Sequence, residues 1–246
     1  MKNIEQWKPS KYIYNKNKLI ASRDSKEVAV SSRLCADLIA SKYDVFLKLY
    51  AKGKLLDLGC GNVPLYIAYK ELVSSNVCVD WENTWHKNAY LDFNCDLSKP
   101  LPFANGEFDT IILSDVLEHI AEPEQLWQEM ARILAPGGKI IMNVPFYYWL
   151  HEQPNDYYRY TKFALNRFVK NSELSLVHLS PIGGAPEIMC DIFAKNALVF
   201  IPIFGKAIAS ISQSLTMFFI STKLGAKLSK VTSDNFPLGY FLIAEK

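Results

Sequence analysis

Lys54-Leu-Leu-Asp-Leu-Gly-Cys-Gly61 is the stretch on which the reading of this chain turns. A short apolar run ends on glycines one residue apart, and Pro64 follows where a helix would begin, reaching about Val73. Strand, glycine turn and helix form the opening unit of a parallel α/β sheet. Outward from it, further apolar runs predict strands at Asn76 to Asp80, Tyr90 to Phe93, Phe108 to Leu113, Lys139 to Val144, Leu174 to Leu179 and Gly239 to Ala244. They are apolar almost throughout, as strands covered on both faces should be. Helical spacing predicts one or two helices within 26–50, one from Pro123 through Leu134 stopped by Pro136-Gly-Gly138, and one from Tyr160 to about Lys170.

The chain has 246 residues, half of them hydrophobic and 21% charged, with a formal charge of +2. That balance belongs to a globular domain with a sizeable core. The charge is too small for a general nucleic-acid binder, so no nucleic-acid partner is expected. Cys35, Cys60, Cys78, Cys95 and Cys190 are odd in number and contain no C-x-x-C, which argues against a disulfide framework and for a reducing setting. Residues 1–24 are polar and Lys-rich, without the apolar centre of a signal peptide. A cytoplasmic location is the expectation. The longest uncharged run, Ala207 to Thr222, is interrupted by serines and is short for a membrane span.

In a parallel sheet, ligands bind beyond the carboxyl ends of the strands. Asp57, Gly59, Cys60 and Gly61 end the first predicted strand, Asp80 and Trp81 the second, Asp96 and Leu97 follow the third, and Ser114 ends the fourth. The glycines let backbone approach a ligand, and a carboxylate at Asp80 suits ribose hydroxyls. Asp96 is placed to accept from an adenine amino group, or to cap a helix. Pro64 stands where a dinucleotide fold would want a third glycine, and three acids on one edge repel phosphate. A cationic, ribose-bearing ligand without phosphates fits, and S-adenosylmethionine (SAM) is one.

The blocks Leu55 to Gly61, Phe108 to His119 and Glu129 to Gly138, in this order, resemble the class I SAM-dependent methyltransferases, and within them the branch called type 11. The resemblance covers about Leu55 to Val144. It implies a Rossmann-like, seven-stranded, mostly parallel sheet with an antiparallel last strand and helices on both faces. It further implies that Asp57, Gly59 and Gly61 meet the methionine part, that Asp80 holds the ribose, that Asp96 and Leu97 flank the adenine, and that Ser114 closes the floor. Val63 departs from the pattern, standing where many members carry a third glycine. His119, in the Leu-Glu-His block, reads as a structural histidine near a helix start.

Val144 to Thr161 follows the fifth predicted strand and is the most aromatic segment of the chain. Its order His151-x-x-Pro154-x-Asp156-Tyr-Tyr-Arg159-Tyr-Thr161 resembles a loop of methyltransferases in bacterial surface-glycan pathways, which implies a glycan or lipid-linked acceptor. A hydroxyl acceptor must lose a proton, and an imidazole suits that task. His151 is the candidate base, Asp156 its orienter and Arg159 a clamp for an anionic group. The same three residues could instead brace an aromatic lid. A small lipophilic acceptor such as a quinone precursor, and a non-catalytic SAM-binding module, are the rival functions. No metal-ligand spacing is evident, and no metal is expected.

By segments, residues 1–50 read as an N-terminal helical extension and 51–246 as the methyltransferase domain, with 185–233 a helical insertion before the last strand. Within it, 192–233 has five lysines, no acid and many large apolar residues. It is expected either to contact a membrane peripherally at the inner face, to cap the acceptor site, or to form a dimer surface.

Overall fold

The computed structural model describes residues 1–81 and 89–246. The chain opens with a hairpin, β1 (Tyr12–Asn15) and β2 (Lys18–Ala21), before the long helix α1 (Arg33–Tyr50). Residues 1–50 are therefore not helical throughout, as the segment reading had them. Lys16 and Asn17 take φ 47° and 63°, and two positive-φ residues make the tight turn that joins twisted strands. Neither residue is glycine, so the usual sequence signal of the turn is missing.

The alternating part follows as β3 (Lys54–Leu58), α2 (Tyr66–Tyr69), β4 (Ser75–Asp80), β5 (Phe93–Asn94), β6 (Phe108–Ser114), α3 (Pro123–Ile133), β7 (Leu134–Pro145), α4 (Lys162–Asn171) and β8 (Ser175–Ile182). Then come α5 (Ala185–Phe200), α6 (Gly205–Ser221), α7 (Lys223–Thr232) and β9 (Gly239–Glu245). Most strands fall where the apolar runs put them. Three elements differ. The helix after the glycine turn is one turn long rather than reaching Val73. The third strand of the sheet is only Phe93–Asn94. Pro136-Gly-Gly138 lies inside β7, not in a turn, and the register with β6 shifts between Phe108 and Thr110 to absorb the extra residues.

Seven strands among the described residues form one sheet in the order β5-β4-β3-β6-β7-β9-β8. The pairs from β5 to β7 are parallel. β9 runs the other way. Lys246, just past its end, exchanges backbone bonds with Gly137 and Gly138 near the start of β7, and Leu238, just before it, donates to Ile182 at the end of β8. The sheet is Rossmann-like, as expected.

Residues alternate between two buried faces along each strand. Leu56, Leu58, Ile111, Leu113, Leu242 and Ala244 join Leu126, Trp127, Met130, Leu165 and Phe168 of α3 and α4 in one apolar cluster. On the opposite face Phe46 of α1 stacks on Phe241 at 5.2 Å and meets His178 at 4.4 Å. Helices thus cover both faces of the central strands, which is why β3, β6 and β9 are apolar along most of their length.

The chain divides into two compact units: Met1–Pro9, Asp44–Ser180 and Tyr240–Lys246 form one, Ser10–Tyr43 and Pro181–Gly239 the other. In the second, buried Gln213 of α6 accepts from Leu34 N at 2.6 Å and donates to Val30 O. Helices α5 and α6 cross so closely that a Cβ on Gly205 would stand 2.3 Å from the Ala197 carbonyl oxygen. Asp191 and Lys195 form a buried ion pair along α5. No helix among the described residues is long and apolar enough to cross a membrane.

Trp127 is fully buried and stacks on Phe168 at 6.1 Å, so α3 seals the sheet through this residue. Trp127→Ala is expected to lower the free energy of unfolding by about 3–5 kcal/mol. Urea denaturation measures it, and a loss below ~1 kcal/mol would contradict that packing role.

Candidate functional site

Register puts the carboxyl ends of four strands in one row. Leu58 pairs with both Val79 and Leu113, Ser114 pairs with Asn143, and Asp80 pairs with Asn94. Gly59, Asp80, Ser114 and Asn143 therefore share the sheet's rim. At Gly59 the backbone has φ +66°, and an added Cβ would meet Val116 Cγ2 at 2.5 Å. Gly59 and Cys60 both donate to Val79 O, at 2.8 and 3.1 Å, which ties the turn to the neighbouring strand. Val63 takes φ 52°, a conformation glycine adopts more readily, so the departure from the family pattern falls at a left-handed position.

The Asp80 carboxylate is clamped by the turn it serves. Gly61 N donates to Oδ2 at 2.8 Å and Trp81 N donates to Oδ1 at 2.7 Å. Trp81 stands half exposed beside it. Asp57 is 3% exposed and accepts from Tyr69 OH at 3.1 Å. Burial pushes its carboxyl up to about 7, the Tyr69 bond opposes this, and the Asp80 charge adds to it. The Cys60 thiol is buried and pushed up as well, chiefly by the same burial.

Asp96 is engaged locally. Its Oδ1 accepts from Ser98 N at 3.0 Å and Ser98 Oγ at 2.6 Å, and its Oδ2 lies 3.3 Å from Lys99 Nζ. The Ser98 bonds hold its carboxyl below the usual range. Leu97 is buried in the core cluster. Ser114 Oγ donates to Asn143 Oδ1 at 2.9 Å, and Asn143 in turn donates to Asp115.

The three candidate acceptor-side residues meet. Arg159 forks onto Asp156 with bonds of 2.6 and 2.7 Å, and also donates to the Tyr158 and Trp149 carbonyls. Asp156 Oδ2 accepts from His151 N at 2.9 Å and lies 3.3 Å from His151 Nδ1. Burial alone would raise Asp156; the Arg159 fork and the His151 bonds bring it down to about 2. Burial and the neighbouring His119 draw His151 below its ordinary value, opposed by Asp156.

Glu118 is a residue the sequence reading passed over. It is 0% exposed, and neither carboxylate oxygen meets a hydrogen-bond donor outside its own residue. Its Oε1 lies 3.8 Å from both His119 Nε2 and His151 Nε2. The two imidazoles meet edge to face at 4.8 Å. Burial and the Asp115 charge push Glu118 well above the carboxylate range. His119, expected to be structural, has one structural side: its Nδ1 lies 2.9 Å from Asn155 O. Its other nitrogen faces Glu118. Nothing in the run Val116-Leu-Glu-His-Ile120 marks the glutamate as buried, because its partner lies 33 residues ahead.

Asp57 generates a stability signature. Its folded value lies above the unfolded carboxylate value, so the folded state holds its proton over a pH range where the unfolded chain has lost it. Its contribution is fully present below about pH 4 and is lost as pH rises through 7. The stability of the native chain relative to Asp57→Asn should fall by roughly 2.5 kcal/mol between pH 5 and pH 7.5. A pH-independent difference in denaturant titrations would refute the buried, proton-holding assignment.

Comparison with known proteins agrees with this architecture. Residues 56–142 match a family described as "Methyltransferase domain". A Ubiquinone biosynthesis O-methyltransferase from Parvibaculum lavamentivorans is 30% identical over 94 residues, 35% of this chain and 37% of that protein. The chain thus aligns with little more than a third of that relative's length. A Haemonchus contortus Phosphoethanolamine N-methyltransferase 2 crystallised with S-adenosyl-L-methionine superposes with a TM-score of 0.55 at 18% identity, over 91% of this chain and 58% of that one. The [4+2]-cyclase SpnF superposes equally well, 0.55 at 16% identity, over 97% and 87% of the two chains. At such identities the superpositions speak for the fold alone. The family match covers residues 56–142, about a third of the chain, and the superpositions show that the chain shares the fold of these proteins.

Proposed function

We propose that this chain is a SAM-dependent methyltransferase that methylates an oxygen of a glycan or lipid-linked acceptor. The observation that carries the reading is the rim of β3 and β4. Bare backbone at Gly59 and Gly61 lies beside the Asp80 carboxylate, which two amides already hold in place. The cradle at Gly59 has no room for a side chain, and the Asp80 carboxylate beside it disfavours phosphate. These features fit a sulfonium nucleoside. Bound there, SAM supplies an electrophilic methyl group.

Asp57 and the glycine turn face the methionine part, and Asp80 takes the ribose hydroxyls. A cation arriving near Asp57 favours its charged form. Leu97 and Asp96 flank the adenine, where an amine would share the carboxylate with Ser98. Ser114 closes the floor through its bond to Asn143. On the acceptor side, His151 takes the hydroxyl proton while the oxygen attacks in line, and Asp156 and Arg159 hold His151 in register. Turnover of His151→Ala should fall about 100-fold or more, with SAM affinity by calorimetry changing less than ~3-fold. Equal losses in both, or none in either, would remove His151 from the chemistry.

The printed function of the Parvibaculum relative, and of a second one from Chromobacterium violaceum at 24% identity, favours a second acceptor. That reading is O-methylation of a quinone precursor. A labelled-methyl assay against glycan, lipid and quinone-precursor fractions separates the two. SpnF, a cyclase by name, shows why the fold cannot decide activity.

Helices α5 to α7 supply the lipid contact in this reading. Phe200, Ile203, Phe204, Ile211, Leu215 and Phe218 are exposed, Ile203 by 85%. Lys206, Lys223, Lys227 and Lys230 are exposed among them. Lys195, counted with the basic residues of this stretch in sequence, is withdrawn into its pair with Asp191. Each exposed lysine adds about 1 kcal/mol at an anionic surface, and the apolar side chains enter the headgroup boundary. The protein would then work at the cytoplasmic leaflet. It should sediment with phosphatidylglycerol vesicles and not with phosphatidylcholine vesicles, and Ile203→Asp with Phe204→Asp should release it. Protein left in the supernatant with both vesicle types would overturn this surface assignment.

A further inference from the structure

We propose that Glu118, His119 and His151 form a binding site for one divalent first-row transition-metal ion, of the zinc or cobalt kind. The inference rests on the methyltransferase reading only for the ion's role, and it replaces the base role given to His151 there by that of a metal ligand. The site itself stands on geometry. The three donor atoms all lie within 4.8 Å of one another. In a tetrahedral zinc site, ligand atoms ~2.1 Å from the ion are roughly 3.4 Å apart. Glu118 Oε1, at 3.8 Å from each imidazole Nε2, is within a few tenths of an ångström of that spacing.

The partners of these groups set their hydrogen atoms. Asn155 O lies 2.9 Å from His119 Nδ1 and can only accept, so Nδ1 carries the proton. Around His151 Nδ1 stand the Asp156 carboxylate and the Trp149 carbonyl, both at 3.3 Å and both acceptors. Both Nε2 atoms are therefore lone pairs, and both turn toward a buried carboxylate. Among the described residues no hydrogen-bond partner reaches Glu118 Oε1, Glu118 Oε2 or His119 Nε2, and Glu152 Oε2 adds a further acceptor 3.9 Å from His119 Nε2. At 3.8 Å a shared proton does not make a good hydrogen bond. A metal cation satisfies all the lone pairs at once. Nδ1 protons held by a backbone carbonyl and a carboxylate are the outer-shell arrangement of metal-bound histidines. The Arg159 fork fixes Asp156 and so the orientation of the second ring.

Two imidazoles and one carboxylate favour zinc, cobalt, manganese or iron over magnesium and calcium, which prefer oxygen ligands alone. Three protein ligands leave a position open. Val116, which packs at the Gly59 turn, lies two residues before Glu118, so Glu118 and His119 follow directly on the strand end beside the cofactor cradle. An acceptor hydroxyl taken up there would give its proton to water. Its oxygen would then form the bond to the methyl carbon as the carbon–sulfur bond breaks, the electron pair going to sulfur. His151 becomes a ligand in place of a base, and its loss acts through the ion.

The test uses the untagged chain after dialysis against a chelator, titrated with Co²⁺ alone and then Zn²⁺. One equivalent should bind with a dissociation constant on the order of micromolar or tighter, and the cobalt form should show the visible absorption of a low-coordinate site. Glu118→Gln and His119→Ala should each weaken binding at least ~100-fold, and Asp156→Asn, a positioning change, about 10–100-fold. Should Glu118→Gln fail to fold by circular dichroism, His151→Ala on the loop provides the same comparison. Wild type that binds no more Co²⁺ or Zn²⁺ than a His119→Ala, His151→Ala double variant overturns the site. SAM calorimetry on the same metal-free protein is read separately. SAM binding without metal binding sinks the ion alone, and metal binding without SAM binding leaves the ion and sinks its role in methyl transfer.

Discussion

Two amide hydrogen bonds, from Gly61 and Trp81 to the Asp80 carboxylate, are the constraint around which the cofactor side is organised. The Gly61 bond forms because β3 and β4 are parallel and in register, so that the glycine turn of one strand faces the last residue of the next. An anion at a strand end would ordinarily be free to rotate. Here it is fixed before any ligand arrives, and it fixes the turn in exchange. The Gly59 conformation, the Val116 contact and the row formed with Ser114 and Asn143 all follow from the same register.

A second level of order sits at the ends of β6 and β7. Those strands place the Glu118–His119 turn beside the aromatic loop that begins after Pro145. Tyr157 and Tyr158 donate to the Glu118 carbonyl, and Tyr160 OH donates to the Leu117 carbonyl, so the loop is stitched to that turn by backbone. The side chains gathered there are rich in acceptors and poor in donors. Such an arrangement is costly for a structural purpose, since burying a carboxyl group without a hydrogen-bond partner carries a desolvation penalty. A binding role accounts for it more directly than a bracing role.

The helices α5 to α7 solve a different problem. Their inner faces bury Ala194, Ala197, Ala209 and Gln213, while phenylalanines and isoleucines are left outside. The small inner residues permit close crossings, as at Gly205. The large outer ones stand exposed. The Asp191–Lys195 pair divides the charge of this stretch, since one lysine is paired inside and the others remain at the surface.

How much of this was readable beforehand follows from the range of the interactions. Strand runs apolar on both faces, the glycine turn and the acids at strand ends are local features, and the chain states them in order. β3, β4, β6 and β9 therefore lie where periodicity put them, Asp80 and Ser114 end β4 and β6, and Asp57 is buried one residue inside the end of β3. The hairpin at 12–21 was hidden because its turn uses Lys16 and Asn17 at positive φ in place of glycine. The short α2 and the continuous β7 depend on register with neighbours, which no local pattern encodes. Glu118 was hidden most completely. Its burial and its approach to His119 and His151 arise only when β6 and β7 lie side by side, and proximity across 33 residues is a property of the folded sheet.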